Sequence, residues 1–197
     1  MFMRDANASG TTDWAHRVLA TVSQHIGAGG PSGVERLARE LDQSPWWKGC
    51  PSASDLLPAG ATPGYRRVPL SGASEASYSA LLIAWPPGHS TPIHDHEGLW
   101  GIELILDGVI EVEAFSLVLE PQLELVSRGA TILGLGDHAA FSDSDYAHRC
   151  RNLSVHHPAL SLHIYGGELE GFRAFDRDAE GRWASVEHCV RREAALI

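Results

Sequence analysis

Cysteine is scarce in this chain. There are three, Cys50, Cys150 and Cys189, and they are widely spaced. They form neither a CxxC pair nor a dense framework, which excludes a disulfide-stapled secreted scaffold and suits a reducing cytosol. Positive charge is also in deficit. With 15 Lys and Arg against 25 Asp and Glu, the formal net charge is −10, which excludes nucleic acid and anionic membrane surfaces as partners, since both demand a basic face. A local basic pocket for a small anion remains compatible with that balance. Long apolar runs are missing too: nothing approaches the roughly 20 residues that span a bilayer. The opening MFMRDANASGTTDW has no apolar core of a signal peptide, so a cytoplasmic location is expected. Repeats and low-complexity tracts are absent.

What is present is ordinary globular material, 44% hydrophobic and 20% charged over 197 residues, enough for one sizeable core. Trp14, Val18, Leu19, Val22 and Ile26 recur at helical spacing in TDWAHRVLATVSQHI, and GAGG stops that helix. PSGVERLAREL follows with Val34, Leu37, Ala38 and Leu41 on one face, and Ser32 and Glu35 in capping-box spacing. A connection rich in Pro, Ser and Gly, SPWWKGCPSASDLLPAGATPG, then changes the character of the chain.

From Tyr65 on, short apolar or alternating runs are divided by Gly, Pro, Asp and Ser: YSALLIAW, WGIELILDG, VIEVEAFSLVL, LELVSRG, ATILGLG, HAAFSD, YAHRCRN, ALSLHIYGG and RWASVEH. Many short strands with close turns predict a sandwich or small barrel. Asp107-Gly108 predicts a type I′ hairpin between two of them. The expected fold is a single, mostly β domain over 1–197, with a helical N-terminal cap over 1–48 and a small β-barrel or jelly-roll over 65–187.

Among the 11 histidines, two sit around one aspartate in PIHDHEG. In extended backbone, residues two apart share a side, so His94 and His96 point one way and Asp95 the other. Two imidazoles aimed into a barrel ask for a metal ion, and His148 in DYAHRCRN offers the third ligand. Gly88, then His94-Asp95-His96 after five residues, Gly108, and His148 with Asn152 four residues on match the two-part signature of the cupin superfamily. The glutamate that usually follows the second histidine is replaced by Trp100 and Gly101. Glu103 lies beyond that position and stays a minor candidate for a fourth ligand by strand parity. Three neutral imidazoles leave a dication its full charge and an open face. Such a centre favours a soft thiolate and suits iron(II) and dioxygen.

A second pattern, SLHIYGG, places Ser161, His163 and Tyr165 on one strand face. Facing a barrel interior, these polar groups must bond to one another or to a ligand. A three-histidine cupin without the glutamate, carrying Ser-x-His-x-Tyr on a late strand, resembles the thiol dioxygenase family, whose best-known member is cysteine dioxygenase. The likeness runs from Tyr65 to Tyr165.

That resemblance implies that Tyr65 and Arg67 of GYRRVPL bind the substrate carboxylate, Arg67 through a bidentate guanidinium, with Arg66 on the surface. Related bacterial enzymes acting on 3-mercaptopropionate have glutamine at the arginine position, so Arg67 points to an amino-acid-like thiol. Animal members carry a cysteine crosslinked to the tyrosine where this chain has Gly101, so Tyr165 is expected unmodified. Trp100 beside the site is a bacterial-type feature, and Arg173 in GFRAFDR is a weaker candidate contact. The implied reaction is Fe(2+)-dependent oxidation of a small thiol, L-cysteine first, by O2 to its sulfinate. His94, His96 and His148 would hold the metal, and Tyr165, backed by His163 and Ser161, would be the catalytic proton donor. No organic cofactor is needed, and the protein would act as a monomer or homodimer. Alternatives are a dioxygenase for 3-mercaptopropionate or mercaptosuccinate, and a different metal-dependent cupin, either an isomerase or a non-catalytic binding protein.

Overall fold

Two antiparallel sheets packed face to face carry the molecule, seen in a computed structural model that describes residues 4–26, 31–43, 48–57, 64–71, 77–190 and 194–197. The strands are β1 (Arg66–Pro69), β2 (Ser79–Trp85), β3 (Ile93–His94), β4 (Gly101–Asp107), β5 (Ile110–Val118), β6 (Glu124–Leu133), β7 (His138–Phe141), β8 (Tyr146–Asn152), β9 (Ala159–Tyr165), β10 (Gly171–Arg177) and β11 (Trp183–Cys189). One sheet has the order β1-β2-β9-β4-β7, the other β11-β10-β3-β8-β5-β6. This is a jelly-roll arrangement, mostly β with a helical N-terminal segment, as the sequence predicts.

The helices α1 (Arg4–Ile26), α2 (Pro31–Gln43) and α3 (Ala53–Leu56) come before the strands. Trp14, Val18 and Val22 of α1 and Val34, Leu37, Ala38 and Leu41 of α2 join one buried cluster with Leu82, Ile102, Leu104, Leu160, Leu162 and Ile164 of the first sheet. That sheet is therefore covered on both faces. Its strand β9 is buried at every position, and β2 at all but its first residue, which is why both read as unbroken apolar runs rather than as alternation. Helix α2 already begins at Pro31, so Ser32 lies within it and not at the expected N-cap; proline suits a first helical position because its missing N–H has no partner there anyway. The GAGG stop and parts of the following connection fall outside the described residues. Ser52 caps α3 instead, its hydroxyl accepting from the Asp55 amide while the Asp55 carboxylate accepts from the Ser52 amide.

Two expectations about strands need correcting. Asp107-Gly108 does not close a hairpin, because β4 belongs to the first sheet and β5 to the second. Gly108 does take a positive φ of 82°, but Asp107 does not, so the turn is not type I′. A Cβ on Gly108 would stand 2.6 Å from that of Ala159, so the glycine is fixed by close passage of the chain between sheets. LELVSRG and ATILGLG are one strand, β6, passing through Gly129 at φ 102° next to a bulge in which Arg128 is the extra residue between the Ala114–Gly129 and Phe115–Ser127 pairs. Strands β1, β3 and β10 carried no separate signal. The C-terminal RWASVEH pairs along β10 as β11, at one edge of the six-stranded sheet.

Candidate metal and substrate site

Strand β3 contributes only two residues, and its His94 stands opposite His148 of β8 in the ladder. Glu97 and Gly98 then take positive φ values of 52° and 79°, turning the chain toward β4 directly after His96. The three rings form a nearly equilateral triangle, with centroids 5.1 Å apart for His94–His96, 4.7 Å for His94–His148 and 4.8 Å for His96–His148. One nitrogen from each lies within 4.8 Å of the others.

Their hydrogen bonds fit metal ligation. His94 can give its Nδ1 proton to the Pro92 carbonyl at 3.1 Å, which leaves Nε2 as a free lone pair. His96 is 2% exposed, and among the described residues neither of its ring nitrogens has a hydrogen-bond partner. An uncommitted buried polar group costs about 1–3 kcal/mol, so this ring needs a cation to answer it. Burial lowers His94 from the ordinary imidazole value and holds His96 and His148 well below it, the charge of neighbouring histidines adding to the effect on the latter two. Neutral imidazole is the form that binds metal. The residues present therefore fit a divalent cation held by His94, His96 and His148.

Glu103 is the main departure from the expected charge pattern. It is buried, on the same face of β4 as Gly101 and Ile105, with its Oε1 3.5 Å from His148 Nε2 and 3.4 Å from His163 Nδ1. A carboxyl group thus does enter the pocket, although it stands outside the group formed by the three histidines. Burial pushes it up to about 8, so in the metal-free pocket it is an uncharged acid at neutral pH.

Ser161, His163 and Tyr165 alternate along β9 and form the expected relay. Ser161 Oγ lies 2.8 Å from His163 Nε2, and His163 Nδ1 lies 3.1 Å from the Tyr165 hydroxyl. Trp85 extends it, donating its indole N–H to Ser161 Oγ at 2.8 Å. Ser161 can in turn give its proton to His163 Nε2, and in that tautomer Nδ1–H faces the tyrosine oxygen and leaves the phenol proton free to point into the pocket. Burial pushes His163 down to about 3 and Tyr165 well above the ordinary phenol value. The relay is therefore uncharged throughout.

Arg67 reaches the same cavity from β1. It stands opposite Ile83, an inward-facing residue of β2, whereas its neighbour Arg66 is exposed and donates to the Leu56 carbonyl. Among the described residues, no carboxylate pairs with the Arg67 guanidinium. Tyr65 lines the cavity beside it and stacks on Trp85 with centroids 5.6 Å apart. Tyr65, Arg67, His94, His96, His148, His163 and Tyr165 thus share one pocket, with Ser161 directly behind His163.

Two predicted contacts are not there. Trp100 packs against the helix-side cluster and, with Ile26, Val34 and Leu37, lines a separate cleft. On β4 the even-numbered residues face the helices and the odd-numbered ones face the site, so Trp100 falls on the wrong side. Arg173 is not among the cavity residues either, because its guanidinium is bound to Asp95. Conversely, Trp85, Cys150 and Phe172 line the cavity without having been singled out. Strand parity from His148 and Asn152 could have flagged Cys150, whereas Trp85 lies on a different strand from Ser161 and carried no such signal. Nothing in the sequence marked Phe172.

Residues 64–178, more than half of the chain, match the family described as cysteine dioxygenase type I. Human cysteine dioxygenase type 1 is 29% identical over 100 residues, covering 51% of this chain and 50% of that protein. The Danio rerio protein of the same name is 31% identical over 104 residues, with the same shares covered. The chain spans about half the length of the curated relatives it matches. A solved cupin domain of Schizosaccharomyces pombe Cnp3 aligns at 13% identity and a TM-score of 0.42, over 53% of this chain and 65% of that one. With its three-histidine cluster and its Ser-His-Tyr relay in one pocket, the chain belongs to the cysteine dioxygenase type I family.

Proposed function

We propose that this protein is an iron-dependent thiol dioxygenase that oxidises a small carboxylate-bearing thiol, L-cysteine first, with O2 to the sulfinate. The observation that carries this reading is the juxtaposition, in one cavity, of three neutral imidazoles and an arginine that no carboxylate of the described residues pairs with. His94, His96 and His148 would hold iron(II). When bound, that ion supplies coordination sites for a thiolate and for dioxygen.

The chain's own residues supply the rest. Arg67 takes the substrate carboxylate in a bidentate pair, and Tyr65 beside it closes the carboxylate end of the pocket. The bound thiol is thereby held in one orientation, and proximity does much of the catalytic work. Tyr165 holds its phenol proton toward the pocket, fixed by the uncharged His163 and Ser161 behind it, and is the proton donor of the site. We infer also that residues 1–197 act as one domain, because α1 and α2 share a buried cluster with the sheet behind the relay.

The test is oxygen uptake by iron-loaded protein with L-cysteine, 3-mercaptopropionate, mercaptosuccinate and cysteamine, with product mass. L-Cysteine should drive uptake and gain two oxygen atoms. No uptake with any of the four overturns the proposal. Glu103 is the observation that favours a second reading, a cupin using another metal for other chemistry, and metal analysis of the purified protein with an inert thiol panel would select it.

A further inference from the structure

Cys150, Glu103 and His148 are all fully buried and offer one donor atom each within 4.8 Å of one another. The proposed reaction uses His148 alone of the three. Cys150 Sγ lies 3.6 Å from Glu103 Oε2 and 3.8 Å from His148 Nδ1, and His148 Nε2 lies 3.5 Å from Glu103 Oε1. Bond lengths of about 2.3 Å to sulfur and about 2.0–2.1 Å to nitrogen or oxygen around a tetrahedral zinc put neighbouring donors roughly 3.3–3.7 Å apart. Taking one donor atom from each, the three lie within 4.8 Å of one another, no more than about 1 Å beyond that spacing, with His148 and Cys150 on β8 and Glu103 on β4 of the other sheet.

Charge separates this set from the histidine triangle. Three imidazoles leave a dication with its whole charge in a dry pocket, whereas a thiolate, a carboxylate and an imidazole neutralise it, which a low-dielectric interior favours. A soft donor also selects a soft ion. The Cys150 thiol donates to the Glu103 carboxyl, a weak donor for a group so deeply buried.

We propose that Cys150, Glu103 and His148 form a second, competing metal site that captures thiophilic dications such as zinc and cadmium and withdraws His148 from the three-histidine set. The thiol and carboxyl protons leave to solvent as the dication enters, and no redox step is involved. The site shares one ligand with the proposed iron site but does not depend on the protein oxidising thiols.

The experiment adds one equivalent of Cd(2+) to metal-free full-length protein carrying Cys189→Ser, which removes the exposed thiol, and follows thiolate-to-cadmium charge-transfer absorption in the ultraviolet. The band should appear, persist in His94→Ala, and vanish in both Cys150→Ser and Cys150→Ala, with cadmium affinity falling at least tenfold. In iron-loaded protein, the same addition should displace iron unless Cys150 is replaced. Absence of the band, its survival without Cys150, or its loss in a folded His94→Ala variant overturns the site. Oxygen uptake with thiols, measured without cadmium, reports on the iron reading independently of each of these results.

Discussion

Asp95 and Arg173 lie 78 residues apart in sequence and are bound to each other at four points. The Asp95 carboxylate accepts from the Arg173 amide at 2.8 Å, from Nε at 2.7 Å and from Nη2 at 2.5 Å, and the Asp95 amide donates to the Arg173 carbonyl at 3.1 Å. Asp95 is almost wholly buried, on the side of the backbone opposite the two histidines that flank it. The clasp ties the His-x-His segment to β10 and so fixes the direction of both imidazoles.

Removing the guanidinium leaves Asp95 a buried charge answered only by the backbone amide of residue 173. Arg173→Met should weaken metal binding about 10- to 100-fold, the usual cost of losing a group that orients metal ligands. Arg173→Lys should restore part of it, since a single ammonium meets the carboxylate without the fork. Competition against a chromophoric chelator measures both, and the double variant with Asp95→Asn should lose far less than the sum of the singles. Unchanged affinity in Arg173→Met would show that the segment holds its shape unaided.

Arg67 is tested by comparing substrates. A bidentate guanidinium–carboxylate pair in a partly dry pocket is worth about 1.5–3 kcal/mol, so Arg67→Ala should raise the KM for L-cysteine and 3-mercaptopropionate roughly 10- to 100-fold. Cysteamine, which has no carboxylate, should keep its KM. Equal losses on all three thiols would remove Arg67 from carboxylate recognition.

The buried titratable groups predict a stability optimum for the metal-free protein. His163 is held down to about 3, and His94, His96 and His148 are lowered as well. Below their unfolded value of about 6.5, the unfolded chain takes up protons that the native one refuses, so stability falls with falling pH, by at most about 1.4 kcal/mol per unit for each histidine. Glu103 acts in the opposite sense. Its value rises from 4.5 to about 8 on burial, so between those limits the native state holds the extra proton and stability falls as pH rises. Thermal melts in chelator should therefore peak near neutrality, and Glu103→Gln should flatten the alkaline limb and steepen the acid limb between about 4.5 and 6.5.

What the sequence made legible follows from periodicity. A spacing of two put His94 and His96 on one side and Asp95 on the other, and the same rule lined up Ser161, His163 and Tyr165; both arrangements are present. That rule also applies to Trp100 and Gly101, which must face opposite ways, yet the resemblance to bacterial enzymes and the bulk of the ring suggested a role in the site for the tryptophan. The hairpin at Asp107-Gly108 failed because local turn chemistry says nothing about which sheet the next strand enters. The hold of Asp95 on Arg173 was beyond reach, since it depends on β3 meeting β10 in the second sheet.

Gly101 gives a last test of how the site is packed. It lies directly opposite Tyr165 in the β4–β9 ladder, which is where a residue must stand to touch that phenol from the neighbouring strand. The room is taken by Phe141, whose Cζ would lie 2.3 Å from a Cβ at position 101. Phe141 cannot easily retreat, because its ring stacks on His96 at 4.9 Å and on Tyr146 at 4.5 Å. Gly101→Cys should therefore destabilise the protein by about 1–3 kcal/mol, the cost of overpacking a filled core, and should disturb His96 enough to weaken metal binding. Adding Phe141→Leu should recover part of the stability by opening the space. If Gly101→Cys melts at the temperature of the parent protein, Phe141 is not the wedge that keeps a side chain away from Tyr165.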